Sequence, residues 1–258
     1  MHPAELVIWL LVFLLGASVS SFLNVVAYRL PKGESFVYPS SHCPHCQRPL
    51  RPLDLIPVAS WLWNRGQCRY CKARIHLRYL LVEIIGGAGF VWIYNEIDGA
   101  GSLILAVSLF CILLTVTLTD LSYRLIPNRI LYPAYVYFYI LMLLFSERTW
   151  WEPLAGFLFG GGVLLAVAMI AERFYAQAMG GGDIKLMALV GLVLGIKQTL
   201  LCLFFSSLLG AVIGLVLIAL RILKRQEGLP YGPFISLAAW IIFLYGQAIM
   251  QGYMQLYV

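Results

Sequence analysis

Charge is scarce in this sequence. Asp, Glu, Lys and Arg make up only 12% of its 258 residues, while 61% are hydrophobic; a soluble globular protein carries roughly 25% charged residues. With mean hydropathy at +0.85, most of the surface cannot face water, which excludes an ordinary soluble fold, a disordered chain and a coiled coil. The same figures exclude a small disulfide scaffold, and solenoid repeats and low-complexity linkers are missing. The first apolar stretch also lacks the basic flank of a cleavable signal peptide and carries Glu5 there instead, so it is expected to remain as a span. What these absences leave is a polytopic membrane protein.

A bilayer crossing takes about 20 largely apolar residues in a helix. Eight stretches fit: Glu5–Tyr28, Tyr79–Ile97, Ser102–Thr119, Ile130–Phe145, Leu154–Ala171, Ile184–Ile196, Thr199–Leu220 and Tyr231–Tyr253. They predict an all-α membrane protein of eight transmembrane helices. The sixth is short, which leaves a tilted span, one half-exposed to water, or a helix that begins before Asp183. Charge placement sets the orientation. Nine Lys and Arg lie between Arg29 and Arg78, and Arg124, Arg129, Arg173, Lys185, Arg221, Lys224 and Arg225 fall on the same side, leaving only Arg148 and Lys197 opposite. The crowded side is cytosolic by the positive-inside rule, so both termini are expected outside a plasma (inner, cytoplasmic) membrane. The predicted organisation is a first span over residues 1–28, a cytosolic loop over 29–78, and spans two to eight over 79–258. The net charge of +6 then reports orientation and membrane-surface contact, not nucleic-acid binding.

That loop holds Cys43-Pro-His-Cys46 and Cys68-Arg-Tyr-Cys71, two CxxC turns separated by 21 residues. Paired CxxC units near this spacing point to a four-thiolate structural zinc site, because each turn aims two sulfurs at one ion. A cytosolic location agrees, since thiols there are kept reduced. About 50 residues is also small for a core without a metal or a docking surface. The alternatives are free cysteines or a redox pair. His42 and His45 are bystanders on this reading, and Cys111 and Cys202 are core residues of the spans. A closed four-thiolate shell has no open position for catalysis.

Acidic groups at membrane depth are functional-site candidates by default, and Asp120 and Asp183 stand out. Asp120 closes the third span in Thr119-Asp120-Leu121-Ser122-Tyr123-Arg124. A carboxylate is misplaced at the negative end of a helix, unless it pairs with Arg124 four residues on. Asp183 follows Gly180-Gly181-Gly182, where it is either a helix N-cap or something more. Both fall at the same cytosolic boundary. Two neighbouring carboxyls do not readily both ionise, so one is set to act as general acid and the other as general base on a water, with no metal at that site.

At these residues the sequence resembles the type IV prepilin peptidase family, membrane aspartyl proteases of the GxGD class. The resemblance runs from Ser21-Phe22-Leu23-Asn24 through Arg29-Leu30-Pro31 and the two cysteine turns, with Leu55-Ile56-Pro57 and Arg65-Gly66 between those turns. It continues through Asp120 with Ile126-Pro127-Asn128 and Gly180–Asp183 with Ile184-Lys185 to Tyr231-Gly232-Pro233-Phe234. It implies that Asp120 and Asp183 are the catalytic pair that removes the short basic leader of prepilins or pseudopilins, cutting after a glycine. It also implies that the new N-terminus is methylated from S-adenosylmethionine, with the zinc-binding loop serving this second activity.

Gly66 matches a family position tied to methyl transfer. Gln67 stands where the family commonly has a basic residue, and Leu80 where it usually has proline. Glu83 either shapes the loop–membrane junction or assists methyl transfer, and Asn24 is either a packing hydrogen bond or part of the methylation surface. The rival readings are a peptidase without methyl transfer and a non-proteolytic thiol-redox or transport protein. The expected partners are prepilin-like precursors and the bilayer.

Overall fold

In hydrocarbon a backbone N–H or C=O finds no partner except within its own helix, so long apolar runs must fold as helices. The structure is a computed structural model that describes residues 3–38, 40–174, 179–222 and 228–255. Among these residues nine α-helices form: α1 Pro3–Arg29, α2 Ala59–Trp63, α3 Leu77–Glu96, α4 Ala100–Tyr123, α5 Asn128–Phe145, α6 Trp151–Ala171, α7 Gly181–Leu194, α8 Ile196–Ala219 and α9 Gly232–Gln255. The only extended pairing among them is two isolated bridges, His42 with Pro49 and Gln67 with Arg74. The all-helical membrane fold is as expected. Lys224 and Arg225, counted above with the cytosolic charges, lie outside the described residues.

Among the described residues seven helices, not eight, are long and apolar enough to cross a membrane. The correction falls on the sixth predicted span. Helix α7 has 14 residues, a rise of about 21 Å, against a hydrocarbon core of about 30 Å. It begins at Gly181, before Asp183, and every residue from Leu186 to Leu194 is buried. A helix that is apolar on all sides is one enclosed by protein, and α7 packs against α5, α6, α8 and α9. It needs no lipid-facing length.

The fold divides into two compact units between Thr115 and Val116. In the first, α1 and α3 pack face to face. Gly16 and Gly86 meet there, and a side chain at Gly86 would run into Ser20. On its other faces α1 leaves Leu10, Leu11 and Leu15 more than half exposed, an apolar surface suited to lipid. In the second unit α6 and α7 touch at Gly156 and Gly191, where each glycine meets the other's backbone. Gly160 lies against the Met187 carbonyl in the same seam. Small residues that let backbones approach are the usual membrane substitute for a hydrophobic driving force.

Enlarging that seam has a predictable cost. Gly191→Leu is expected to lower Tm in detergent by roughly 2–12 °C, from overpacking of about 1–3 kcal/mol in a chain of this size. A circular-dichroism melt of the variant beside wild type checks this, and an unchanged Tm would show that α6 and α7 do not depend on contact at this point.

Candidate active site

Asp120 sits in the last turn of α4, which runs on to Tyr123, and its side chain is only 6% exposed. Arg124 does not continue the helix. It turns to φ 53° and contributes a nearby positive charge. The direct partner of the carboxylate comes from elsewhere: the backbone N–H of Gly232, first residue of α9, donates to Asp120 Oδ2 at 2.9 Å. A helix N-terminus carries unpaired N–H groups and partial positive charge, which offsets the misplacement that the sequence indicates for Asp120.

Asp183 is half-buried in the first turn of α7. The cap position belongs to Gly180, which makes no side-chain cap hydrogen bond. The N-cap reading of Asp183 is therefore set aside. Its carboxylate lies close enough to Asp120 for the charge on one to act on the other.

The surrounding residues fix this approach. Gly182 faces the buried Ile126, and a Cβ at Gly182 would stand 3.0 Å from the Ile126 side chain. Lys185 turns away from the carboxylates, donates to Asn128 Oδ1 at 3.0 Å and lies over the Tyr132 ring. Tyr135 donates its hydroxyl hydrogen to the Lys185 carbonyl at 2.9 Å. The segments Ile126-Pro127-Asn128 and Gly182–Lys185 are thus one interlocked structure at the start of α5 and α7.

In the first unit the four sulfurs of Cys43, Cys46, Cys68 and Cys71 lie within 4.8 Å of one another. The two turns are built alike. Gln47 and Lys72, each four residues after the first cysteine of its turn, have φ 57° and 59°. Each donates its N–H to that cysteine's carbonyl, at 2.8 and 3.0 Å. Sγ of Cys43 is 3.8 Å from Sγ of Cys71, and four sulfurs at the usual 2.3 Å around one tetrahedral zinc stand about 3.8 Å apart. The donor set fits the ion.

Three further residues singled out in the sequence lie in the first unit. Gly66 has φ 67°, and a Cβ there would stand 2.7 Å from the Trp61 ring. Asn24 is buried within α1. Glu83 accepts the Val58 N–H at 2.7 Å, and Ser21 reaches the same carboxylate. Val58 has φ 61° and ψ −54°, a conformation that costs a β-branched residue on the order of 1–3 kcal/mol. Glu83 holds that turn in place. Glu83→Ala is expected to free it and speed tryptic cutting at Arg65 by roughly tenfold, the loss of a charge-assisted hydrogen bond. Equal digestion rates for variant and wild type would mean that the turn holds itself.

Gly232 is the site residue that sequence reasoning passed over. Its motif, Tyr231-Gly232-Pro233-Phe234, is visible, but its contact lies 112 residues away in the chain. A glycine between a tyrosine and a proline at the start of a span is the available signal, and it does not say which group the amide meets.

The Bacterial Peptidase A24 N-terminal domain description matches residues 14–97, and the Type IV leader peptidase family matches residues 107–215. The chain is 32% identical over 246 residues to the prepilin leader peptidase/N-methyltransferase of Bacillus subtilis, covering 95% of this chain and 98% of that one. The proteins of the same name from Aeromonas hydrophila and Pseudomonas aeruginosa are each 32% identical as well. They cover 95% and 98% of this chain, and 93% and 95% of their own. No solved structure matches. With the motifs in this order, and relatives this similar over nearly its whole length, the chain belongs to the type IV leader peptidase family.

Proposed function

We propose that this protein is a membrane aspartyl endopeptidase that removes the leader of prepilins or pseudopilins and methylates the new N-terminus. What supports the reading is that Asp120, in the last turn of α4, and Asp183, in the first turn of α7, lie close enough for the charge on one to act on the other. In the proposed reaction one carboxylate takes a proton from water as the oxygen bonds to the scissile carbonyl carbon. The other carboxyl supplies a proton to the leaving nitrogen as the C–N bond breaks. The pair finishes as it began, with one proton between them.

A prepilin joins a basic leader to an apolar helix, so its scissile bond sits at the membrane boundary, where such a pair is needed. Charge supports a cytosolic location. The α4–α5 and α6–α7 connections carry Arg124 and Arg173 and the starts of α5 and α7 carry Arg129 and Lys185, while the α5–α6 connection and the start of α8 carry Arg148 and Lys197. On this reading both termini lie outside an inner membrane.

We assign structural zinc to Cys43, Cys46, Cys68 and Cys71, where it would tie the two turns together. The loop that these turns build is proposed to serve methylation, with S-adenosylmethionine as donor. Gly66, Asn24 and Glu83 are assigned to shaping that loop and its helices. Gly66 lies against Trp61, Glu83 holds the Val58 N–H, and Asn24 is buried in α1.

Purified protein incubated with a type IV prepilin, with and without S-adenosylmethionine, tests both activities by intact mass. Leader loss and a donor-dependent methyl increment are expected. Leader loss alone would leave a peptidase, with Gln67 the first residue to examine. Asp120→Asn and Asp183→Asn should each lower cleavage by about 10²–10⁴-fold while keeping the wild-type Tm; wild-type cleavage by either would remove the pair from the mechanism. Elemental analysis should find one zinc per chain, and Cys43→Ser with Cys68→Ser should lose it. Zinc retained in that double variant would refute the four-thiolate site.

A further inference from the structure

The turn before α9 is fastened from two sides. On one, the Tyr231 hydroxyl meets the hydroxyls of Ser206 and Ser207 on α8, at 2.8 and 3.1 Å, and Ser206 is fully buried. On the other, the Gly232 N–H donates to Asp120 Oδ2. Glycine is required at this approach, because a Cβ at position 232 would stand 2.7 Å from Oδ2 and 3.2 Å from the carboxyl carbon.

Direction matters in this hydrogen bond. A backbone N–H can donate but cannot accept, so the bond uses one lone pair of Oδ2 and lowers its basicity. Oδ1, which accepts no such bond, is then the favoured oxygen for a proton that Asp120 takes or gives.

We infer that Gly232 is a positioning residue for the reaction: its amide binds Oδ2 of Asp120 and leaves Oδ1 as the oxygen that exchanges protons, with Tyr231 pinning the amide in place through Ser206 and Ser207. The inference rests on the reading of Asp120 and Asp183 as the hydrolytic pair. It differs from a purely structural account, in which the same bond only caps α9 and its loss lowers stability.

The decisive change removes the N–H and adds no atoms to the side chain. Placing glycolic acid at position 232 by nonsense suppression turns that amide into an ester. Steady-state cleavage of a purified type IV prepilin by the full-length protein in nanodiscs gives kcat and KM, and a melt gives the folded fraction. The ester form is expected to lose roughly 10- to 100-fold in kcat, the range for a hydrogen bond to a charged group. Its KM should stay within about twofold, because an interaction made in the transition state and not with bound substrate shows in kcat.

Gly232→Ala, which keeps the donor but displaces the carboxylate, should lose kcat in the same way. Tyr231→Phe should lose about three- to tenfold, since it frees the turn without removing the amide. Gly252→Ala, on the same helix with nothing within 4 Å of the added methyl, should match wild type.

Wild-type kcat in the ester form overturns the inference, as does a fall that only follows the loss of folded protein, or a rise in KM alone. Each of these results leaves the hydrolytic pair standing if Asp120→Asn is still inactive. Should wild type and Gly252→Ala both leave the prepilin intact, the proposed reaction itself fails, and the positioning role with it.

Discussion

A carboxylate in the last turn of a membrane helix faces two penalties: the negative end of the helix dipole and the low dielectric around it. Among the described residues, the hydrogen bond that Asp120 accepts in that position comes from the N–H of Gly232. The contact brings the positive end of α9 to the negative end of α4, so each helix end supplies what the other lacks. Several features of the second unit serve this meeting. The tyrosine anchor on α8 fixes where α9 begins, and the absence of a side chain at position 232 permits the approach. The lock of Lys185 onto Asn128 sets the first turn of α7, and with it Asp183.

Helix α7 shows how the second acid is carried there. A helix too short to span is of no use at a lipid surface, but it suits a protein interior, and α7 is enclosed on every side. Its neighbour α6 approaches so closely that glycine meets glycine. The seam keeps α7 from shifting along its axis, and such a shift would separate Asp183 from Asp120. Packing far from the chemistry is therefore part of the site's geometry.

The first unit solves a different problem. Its loop has too little apolar surface to make a core, so order comes from local devices. Two turns of the same geometry gather four sulfurs, the ring of Trp61 lies against Gly66, and the Glu83 carboxylate reaches out of α3 to hold a strained turn at Val58. Gln47 and Lys72 take left-handed backbone without being glycine, which the shared demand of four converging thiols explains. Glu83 reads from sequence as a choice between shaping the junction and assisting chemistry. Its partners Val58 and Ser21 hold the turn at the loop–membrane junction.

Much was legible in the chain itself. Apolar runs of about 20 residues dictate helices because lipid offers the backbone no other partner, and all eight predicted stretches are helical with ends displaced by a few residues. The CxxC spacing dictated the sulfur cluster, because three bonds of reach and a tight turn leave the thiols little else to do. Asp120 and Asp183 drew attention because charge beside a bilayer is costly. Sequence could not show that α7 is buried, that Asp183 is not a cap, or that the amide of Gly232 binds Asp120. Those facts depend on contacts between segments 50 to more than 100 residues apart, and helical periodicity records which face of a helix is apolar, not which partner meets it. The sequence by itself determined the helices, the membrane and the cysteine turns, since each follows from local composition and spacing. Only the tertiary structure decided which oxygen of which carboxylate is held and by what, because that is settled where two distant helix ends meet.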